Sequence, residues 1–279
     1  MFSNYELSLA FIGGGNMASA LGAGLIGKRC GANDVHVIDI DEATRERWAA
    51  QGVGTAAAPG PELSGQKVWI FAVKPQVMKE TVAACRPYLK PDTLVISIAA
   101  GIDSATLARW LGTPDAPWTR LVRCMPNTPS LVKAGISGLL ALDGVLDTDR
   151  TVAQQLLKAV GEVVWVDNDD QLDAVTALSG SGPAYVFLFL EALIAGGEKL
   201  GLSAEQSRAL ALATLNGATQ LAGLSPESPA TLRERVTSKG GTTAAALSVF
   251  EQQGFTPMVH DAMQAAYNRA SELAREFSK

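Results

Sequence analysis

The sequence predicts an α/β half over residues 1–166 followed by an all-α half over residues 167–279. Three observations predict it. A short apolar run, Leu9 to Ile12, leads into Gly-Gly-Gly-Asn-Met-Ala and a stretch of small, helix-compatible residues. Apolar runs bounded by turn residues then recur as far as Val166, continuous rather than alternating, as strands covered on both faces should be. Beyond Val166 the segments are long and helical, and no strand pattern returns.

The glycine turn reads G-x-G-x-x-A at Gly13, Gly15 and Ala18, the order of a dinucleotide-binding Rossmann unit. Gly13 permits the sharp turn out of the strand. Gly15 has no side chain, so a pyrophosphate can approach the backbone. Ala18 lets the helix pack tightly on the strand. Gly14, Asn16 and Met17 complete a loop whose free first-turn N–H groups would face the phosphates. The second strand candidate, Val35 to Ile38, is followed by Asp39. An acid there meets ribose hydroxyls in a Rossmann site, or else Asp39 or Asp41 caps the helix Glu42 to Ala50. Arg45 and Arg47 follow, on a solvated helix face or within reach of a 2′-phosphate.

Lys67 to Val73 reads as a third strand ending in Lys74-Pro75-Gln76, with Pro75 suited to the first turn of a helix. Thr93 to Ala99 is a fourth, ending in Ala99-Ala100-Gly101. Because ligands of open parallel sheets lie at the carboxyl ends of the strands, these turns are natural walls of a cofactor crevice. Arg120 to Met125 ends in Pro126-Asn127-Thr128-Pro129. Gly135 to Leu142 and Glu162 to Val166 follow as strands, with a helix from about Thr148 to Val160 between them. Helices are then expected over Asp169 to Leu178, Pro183 to Leu200, Ala204 to Gly223, Pro229 to Val236, Thr242 to Gln253 and Thr256 to Phe277.

Composition narrows the function. Of 279 residues 47% are apolar and 18% charged, enough for a large core, and the net charge of −5 argues against a nucleic-acid surface. Three cysteines without C-x-x-C spacing and two distant histidines predict reduced thiols, no metal site and a cytoplasmic protein. No basic region followed by a long apolar core opens the chain, so no signal peptide is expected. The most apolar segment, Ala184 to Ala195, falls short of the roughly 20 residues of a membrane span, so no membrane association is expected.

Six segments together resemble the pyrroline-5-carboxylate reductase family: Phe11 to Ala20, Phe71 to Gln76, Ser97 to Gly101, Arg123 to Pro129, Ala174 to Tyr185 and Val236 to Leu247. The resemblance implies an N-terminal Rossmann domain and a C-terminal all-α dimerisation domain, a homodimer often built into a larger ring such as a decamer, and NADP(H) as cofactor with NAD(H) as the alternative. It also implies reduction of the C=N bond of pyrroline-5-carboxylate to proline. Gly13 to Ala18 match the family's pyrophosphate loop. Ala72, Val73, Lys74 and Pro75 match a segment on the nicotinamide-ribose side. Ala99, Ala100 and Gly101 match backbone near the nicotinamide, and Asn127 a turn near the carboxamide. Ser238, Gly240, Gly241, Thr242 and Thr243 match the substrate loop, where N–H groups hold the substrate carboxylate and a threonine, here Thr243, faces the ring nitrogen. Lys239 replaces the loop's usual proline, and Asp39-Ile40-Asp41 stand where relatives carry small polar groups for a 2′-phosphate. A family asparagine near the adenine aligns with Pro59, and Glu227 matches poorly a glutamate that some relatives place near the substrate. A reductase of hydroxy or keto acids would place a lysine and an asparagine along a long helix. Here Lys199 instead ends its helix behind Gly196 and Gly197.

Overall fold

A computed structural model describes residues 7–278; residues 1–6, where the reading of a missing leader begins, lie outside it. The α/β half is one eight-stranded sheet. Its elements run β1 (Leu9–Ile12), α1 (Asn16–Leu25), β2 (Val35–Ile38), α2 (Glu42–Ala49), β3 (Gly54–Ala56), β4 (Val68–Phe71), α3 (Pro75–Cys85), β5 (Leu94–Ser97), α4 (Ser104–Leu111), β6 (Leu121–Met125), β7 (Gly135–Ala141), α5 (Asp147–Lys158) and β8 (Gly161–Val166). The strand order is β3-β2-β1-β4-β5-β6-β7-β8, parallel throughout except for the antiparallel β6–β7 pair. Strand addition changes side between β1 and β4, whose ends Ile12 and Phe71 are in register. That is the switch point at which such sheets open a ligand crevice. The sequence passes over β3, whose Gly-Thr-Ala carries too little apolar pattern to read as a strand.

Both faces of the sheet are covered, which is why its strands are continuously apolar. Along β1, Leu9 and Phe11 join one buried cluster with Leu21, Trp48, Val37 and Leu156, while Ala10 and Ile12 join another with Trp69, Met78, Val95 and Leu107. The three thiols are free. Burial pushes those of Cys85 and Cys124 up to about 12, leaving them protonated and inert at neutral pH.

The second half is helical: α6 (Asp169–Val175), a π-helical turn over Thr176–Gly180, α7 (Gly182–Lys199), α8 (Ala204–Leu224), α9 (Pro229–Arg235), α10 (Thr242–Gln252) and α11 (Phe255–Phe277). The chain divides into two compact units, Met1–Ser181 with Ala266–Lys279, and Gly182–Ala265. This division falls later than the last strand, because α6 packs on β7. A Cβ at Gly138 would stand 2.7 Å from Val175 Cγ1. Gly180 gives room to Met125, whose Cε lies 2.4 Å from the site of an added Cβ.

A buried polar cluster ties α4, α6 and the end of α11 to β6. Arg123 pairs with Asp169, which also accepts from Ser104 Oγ at 2.5 Å, and the buried Asp173 accepts from Ser271 Oγ at 3.1 Å. In the second unit Phe250, Phe255 and Phe189 form a ring cluster, with Phe255 centred 5.2 Å from Phe250 and 6.3 Å from Phe189. Much of its apolar surface nevertheless stays open, with Phe187 57% and Leu188 68% exposed. Counted through the π turn, residues 169–199 form a helical stretch long and apolar enough, by length and composition alone, to cross a membrane. The shorter segment counted from sequence understates it.

Burial holds the Asp173 carboxyl above its ordinary 3.8, with Asp169 and Asp170 adding to the shift and Ser271 and Arg123 opposing it. The folded state therefore binds this proton more readily than the unfolded chain. The stability it contributes is present at low pH and is lost as pH rises through the raised value. Wild type should consequently gain more thermal stability than Asp173→Asn on going from pH 7 to pH 5. Calorimetric melting of both proteins at both pH values checks this, and an identical gap at the two would refute it.

Candidate functional site

The glycine loop is held by three neighbouring elements. Gly13 has φ +98° and donates from its N–H to Ile38 O at 2.8 Å; a Cβ there would sit 2.7 Å from Ala72 O. Only glycine meets both demands. Gly14 donates from N–H to Asp39 Oδ2 at 2.7 Å, and its carbonyl accepts from Trp48 Nε1 at 2.9 Å. Trp48 is buried on an otherwise polar helix, and that solitary aromatic was the available sequence signal for a clamp. Asp39 Oδ1 accepts from Asp41 N at 2.9 Å. The helix cap is Asp41, which accepts from Thr44 N at 2.8 Å. That bond, with Arg47 and Arg45 nearby, holds the Asp41 carboxyl below its ordinary range.

Gly15 is the N-cap residue of α1. No side chain caps that helix, and a Cβ added at Gly15 would meet nothing within 4 Å. The first turn, Asn16, Met17 and Ala18, therefore opens onto space with its N–H groups uncapped by any side chain. Ala18 is fully buried on the sheet side. An anionic pyrophosphate fits this cradle: backbone donors, a helix N-terminus and room where a side chain would intrude.

The remaining predicted cofactor residues line the same carboxyl edge of the sheet. Ala72 N donates to Ile12 O at 2.7 Å. Lys74 is the exposed N-cap residue of α3, and Pro75 begins that helix. Ala99 is buried, with Ala100 beside it, and Gly101 packs on α11, where a Cβ would stand 2.8 Å from Leu273 Cβ. The Asn127 side chain works inside the protein. Its Nδ2 donates to Ser179 O at 3.1 Å and its Oδ1 accepts from Ile136 N at 3.0 Å, bracing the turn between β6 and β7 against the π turn.

The predicted substrate loop lies in the second compact unit. Gly241 N donates to Ser238 O at 3.0 Å, closing a four-residue turn whose third residue, Gly240, has φ +74°. A positive φ at that position is what a type II turn requires, and proline is favoured at its second position. Lys239 occupies that position. Gly241 then serves as the N-cap residue of α10 without a side-chain cap, leaving the first turn, with Thr242 and the half-buried Thr243, supplied with open N–H groups. Glu227 is engaged elsewhere, ion-paired with Arg235 across α9.

Comparison with known proteins joins the two parts. Residues 8–101 match the family described as NADP oxidoreductase, coenzyme F420-dependent, and residues 169–273 match pyrroline-5-carboxylate reductase dimerisation. A pyrroline-5-carboxylate reductase of Pseudomonas aeruginosa is 44% identical over 97% of this chain and 98% of its own. Among solved structures, the reductase of Coxiella burnetii superposes with a TM-score of 0.89 at 37% identity over 96% of this chain and 99% of its own. That of Plasmodium falciparum, solved with NADP bound, does so at 0.84 and 28%, over 98% of this chain and 100% of its own.

The two glycines make opposite predictions. Gly15→Ala should fold with a stability change within about 1 kcal/mol, since the backbone suits alanine, yet weaken dinucleotide binding about tenfold or more by filling the cradle. Gly13→Ala should lose stability outright. Melting and cofactor titration of both variants check this; a Gly15→Ala protein with unchanged affinity would show that the cradle is not used.

Proposed function

The chain belongs to the pyrroline-5-carboxylate reductase family, and from that premise we infer its chemistry. It transfers hydride from NAD(P)H to the C=N bond of 1-pyrroline-5-carboxylate, giving L-proline in proline biosynthesis. Near-full-length identity of 44% to a relative of that name carries the reading, and the open glycine cradle and the turn before α10 supply its physical counterpart. The cofactor is NADP(H), with NAD(H) also accepted.

Bound at the cradle, the dinucleotide supplies the hydride. The chain's own residues do the rest. Gly13 and Gly14, their own N–H groups bonded to Ile38 O and Asp39 Oδ2, shape the loop. Gly15 to Ala18 present the uncapped N–H groups to the pyrophosphate, and Ala72 to Pro75 and Ala99 to Gly101 flank the nicotinamide side. Asn127 keeps the neighbouring turn in place. The substrate carboxylate sits on the N–H groups of Ser238, Gly240 and Thr242, where the turn and the α10 dipole converge, while Gly241 closes that turn through its own N–H to Ser238 O. A neutral imine is a poor electrophile, while its protonated form accepts hydride readily, so a hydrogen-bonding group at nitrogen matters more than a strong base. Thr243 fills that role: its hydroxyl donates or accepts, and its β-branch stiffens χ1 and fixes its direction. Lys239, in the position proline would rigidify, costs the turn some stiffness and adds a positive charge beside an anionic substrate.

The protein is a homodimer through its helical region, assembled further into a ring such as a decamer. A second copy, rather than a membrane, covers the apolar side chains exposed on α7 and α8. The acidic net charge suits a protein that binds no nucleic acid, and the site of action is the cytoplasm. Sedimentation of a dilute, active sample should show a dimer or larger; an active monomer would contradict this assembly.

Oxidation of NADPH should proceed with pyrroline-5-carboxylate and much more slowly with piperideine carboxylate or a keto acid. Thr243→Val should lower kcat by roughly 10- to 100-fold, about 1.4 to 2.7 kcal/mol, with cofactor affinity unchanged. A variant that instead melts about 1 kcal/mol lower with kcat intact would make Thr243 a helix-start residue and nothing more.

A further inference from the structure

The turn after β2 poses a chemical problem. Asp39 and Asp41 place two carboxylates where a 2′-phosphate would lie, yet the cofactor carries that phosphate. The hydrogen bonds resolve it. Both Asp39 oxygens are taken by backbone amides, Oδ2 by Gly14 N at 2.7 Å and Oδ1 by Asp41 N at 2.9 Å. Asp39 is thus a brace that ties the glycine loop to the end of β2. Arg45, one turn into α2, folds back over the same turn. Its Nη1 donates to Asp39 O at 2.8 Å and to Ile40 O at 2.9 Å. Its side chain is half-buried rather than waving in solvent. Among the described residues no acceptor engages its Nη2 or Nε, so one edge of the guanidinium remains for a ligand. Arg47 is held differently, donating from Nη2 to Thr44 Oγ1 at 2.8 Å.

We propose that Arg45 is the cofactor-specificity residue: its guanidinium, fixed on the carbonyls of Asp39 and Ile40, receives the adenosine 2′-phosphate. This rests on the dinucleotide lying at the glycine loop with its adenosine ribose toward the end of β2, the ordinary Rossmann placement, in which a nearby arginine accommodates the 2′-phosphate. A guanidinium suits the task because it is always charged and presents a planar fork of donors to phosphate oxygens. Anchoring two of its donor contacts beforehand lowers the ordering cost of binding. Preference between the two cofactors then depends on Arg45, and replacing Asp39 weakens both by loosening the loop.

The test uses the full chain and two adenosine probes, 2′,5′-ADP and 5′-AMP, titrated calorimetrically against wild type, Arg45→Gln, Arg45→Lys and Asp39→Asn, with KM for NADPH and NADH measured alongside. Arg45→Gln should weaken 2′,5′-ADP by about 10- to 100-fold, or about 1.4 to 2.7 kcal/mol, and leave 5′-AMP within about twofold. KM for NADPH should rise while that for NADH holds. Arg45→Lys, which keeps the charge and loses the fork, should fall between wild type and Arg45→Gln, and it serves as the measurement if Arg45→Gln does not fold. Asp39→Asn should weaken both probes together. An Arg45→Gln protein that binds 2′,5′-ADP as wild type does, or loses both probes equally, overturns the assignment. If wild type binds neither probe, the dinucleotide reading itself fails, which is a separate outcome.

Discussion

The shape of the glycine loop after β1 depends on one peptide, that of Gly14, being held from both sides. Its N–H is fixed by the Asp39 carboxylate and its carbonyl by the Trp48 indole, while Gly13 before it presses against Ala72. These contacts come from β2, α2 and the end of β4, so the loop can take its shape only once the sheet and α2 have assembled. The result leaves Gly15 and the first turn of α1 open, with donors aimed outward and no side chain in the way. A charge-accepting cradle made this way needs no lysine of its own, and electrostatic preorganisation of backbone donors is an effective way to hold an anion.

Much of this was legible in the sequence. Continuous apolar runs identify strands covered on both faces, and the G-x-G-x-x-A spacing places the cradle. Pro75 marks a helix start by local chemistry. What stayed hidden was of two kinds. The three-residue β3 has no pattern of its own and exists because the edge of β2 offers it backbone partners. The Arg123, Asp169, Ser104, Asp173 and Ser271 cluster joins residues far apart along the chain, and nothing local in a lone aspartate announces such a partner. The choice between Asp39 and Asp41 as helix cap was likewise open in sequence and is decided by hydrogen-bond geometry.

The second unit shows how much a single chain leaves undone. Its helices α8, α9 and α10 start at Ala204, Pro229 and Thr242, as expected from the sequence, but α7 buries none of its own apolar side chains within the chain. A family of dimerising helices explains why a sequence that apolar remains compatible with water: a second copy provides the missing half of the core. The turn proposed to hold the substrate lies between α9 and α10. Its geometry is set by the positive φ of Gly240 and by the Gly241 to Ser238 hydrogen bond, with Lys239 at its second position.

The central claim is that this chain delivers a hydride to the imine carbon of pyrroline-5-carboxylate. It is tested most directly by following the hydrogen itself. Reaction with dihydronicotinamide cofactor bearing deuterium at C4, followed by mass spectrometry and NMR of the product, should give proline carrying a single deuterium at C5 when the labelled face is the one used. The opposite C4 epimer should give unlabelled proline at the same yield. Absence of proline with either epimer, or label appearing instead in a reduced keto acid supplied as competitor, would contradict the account.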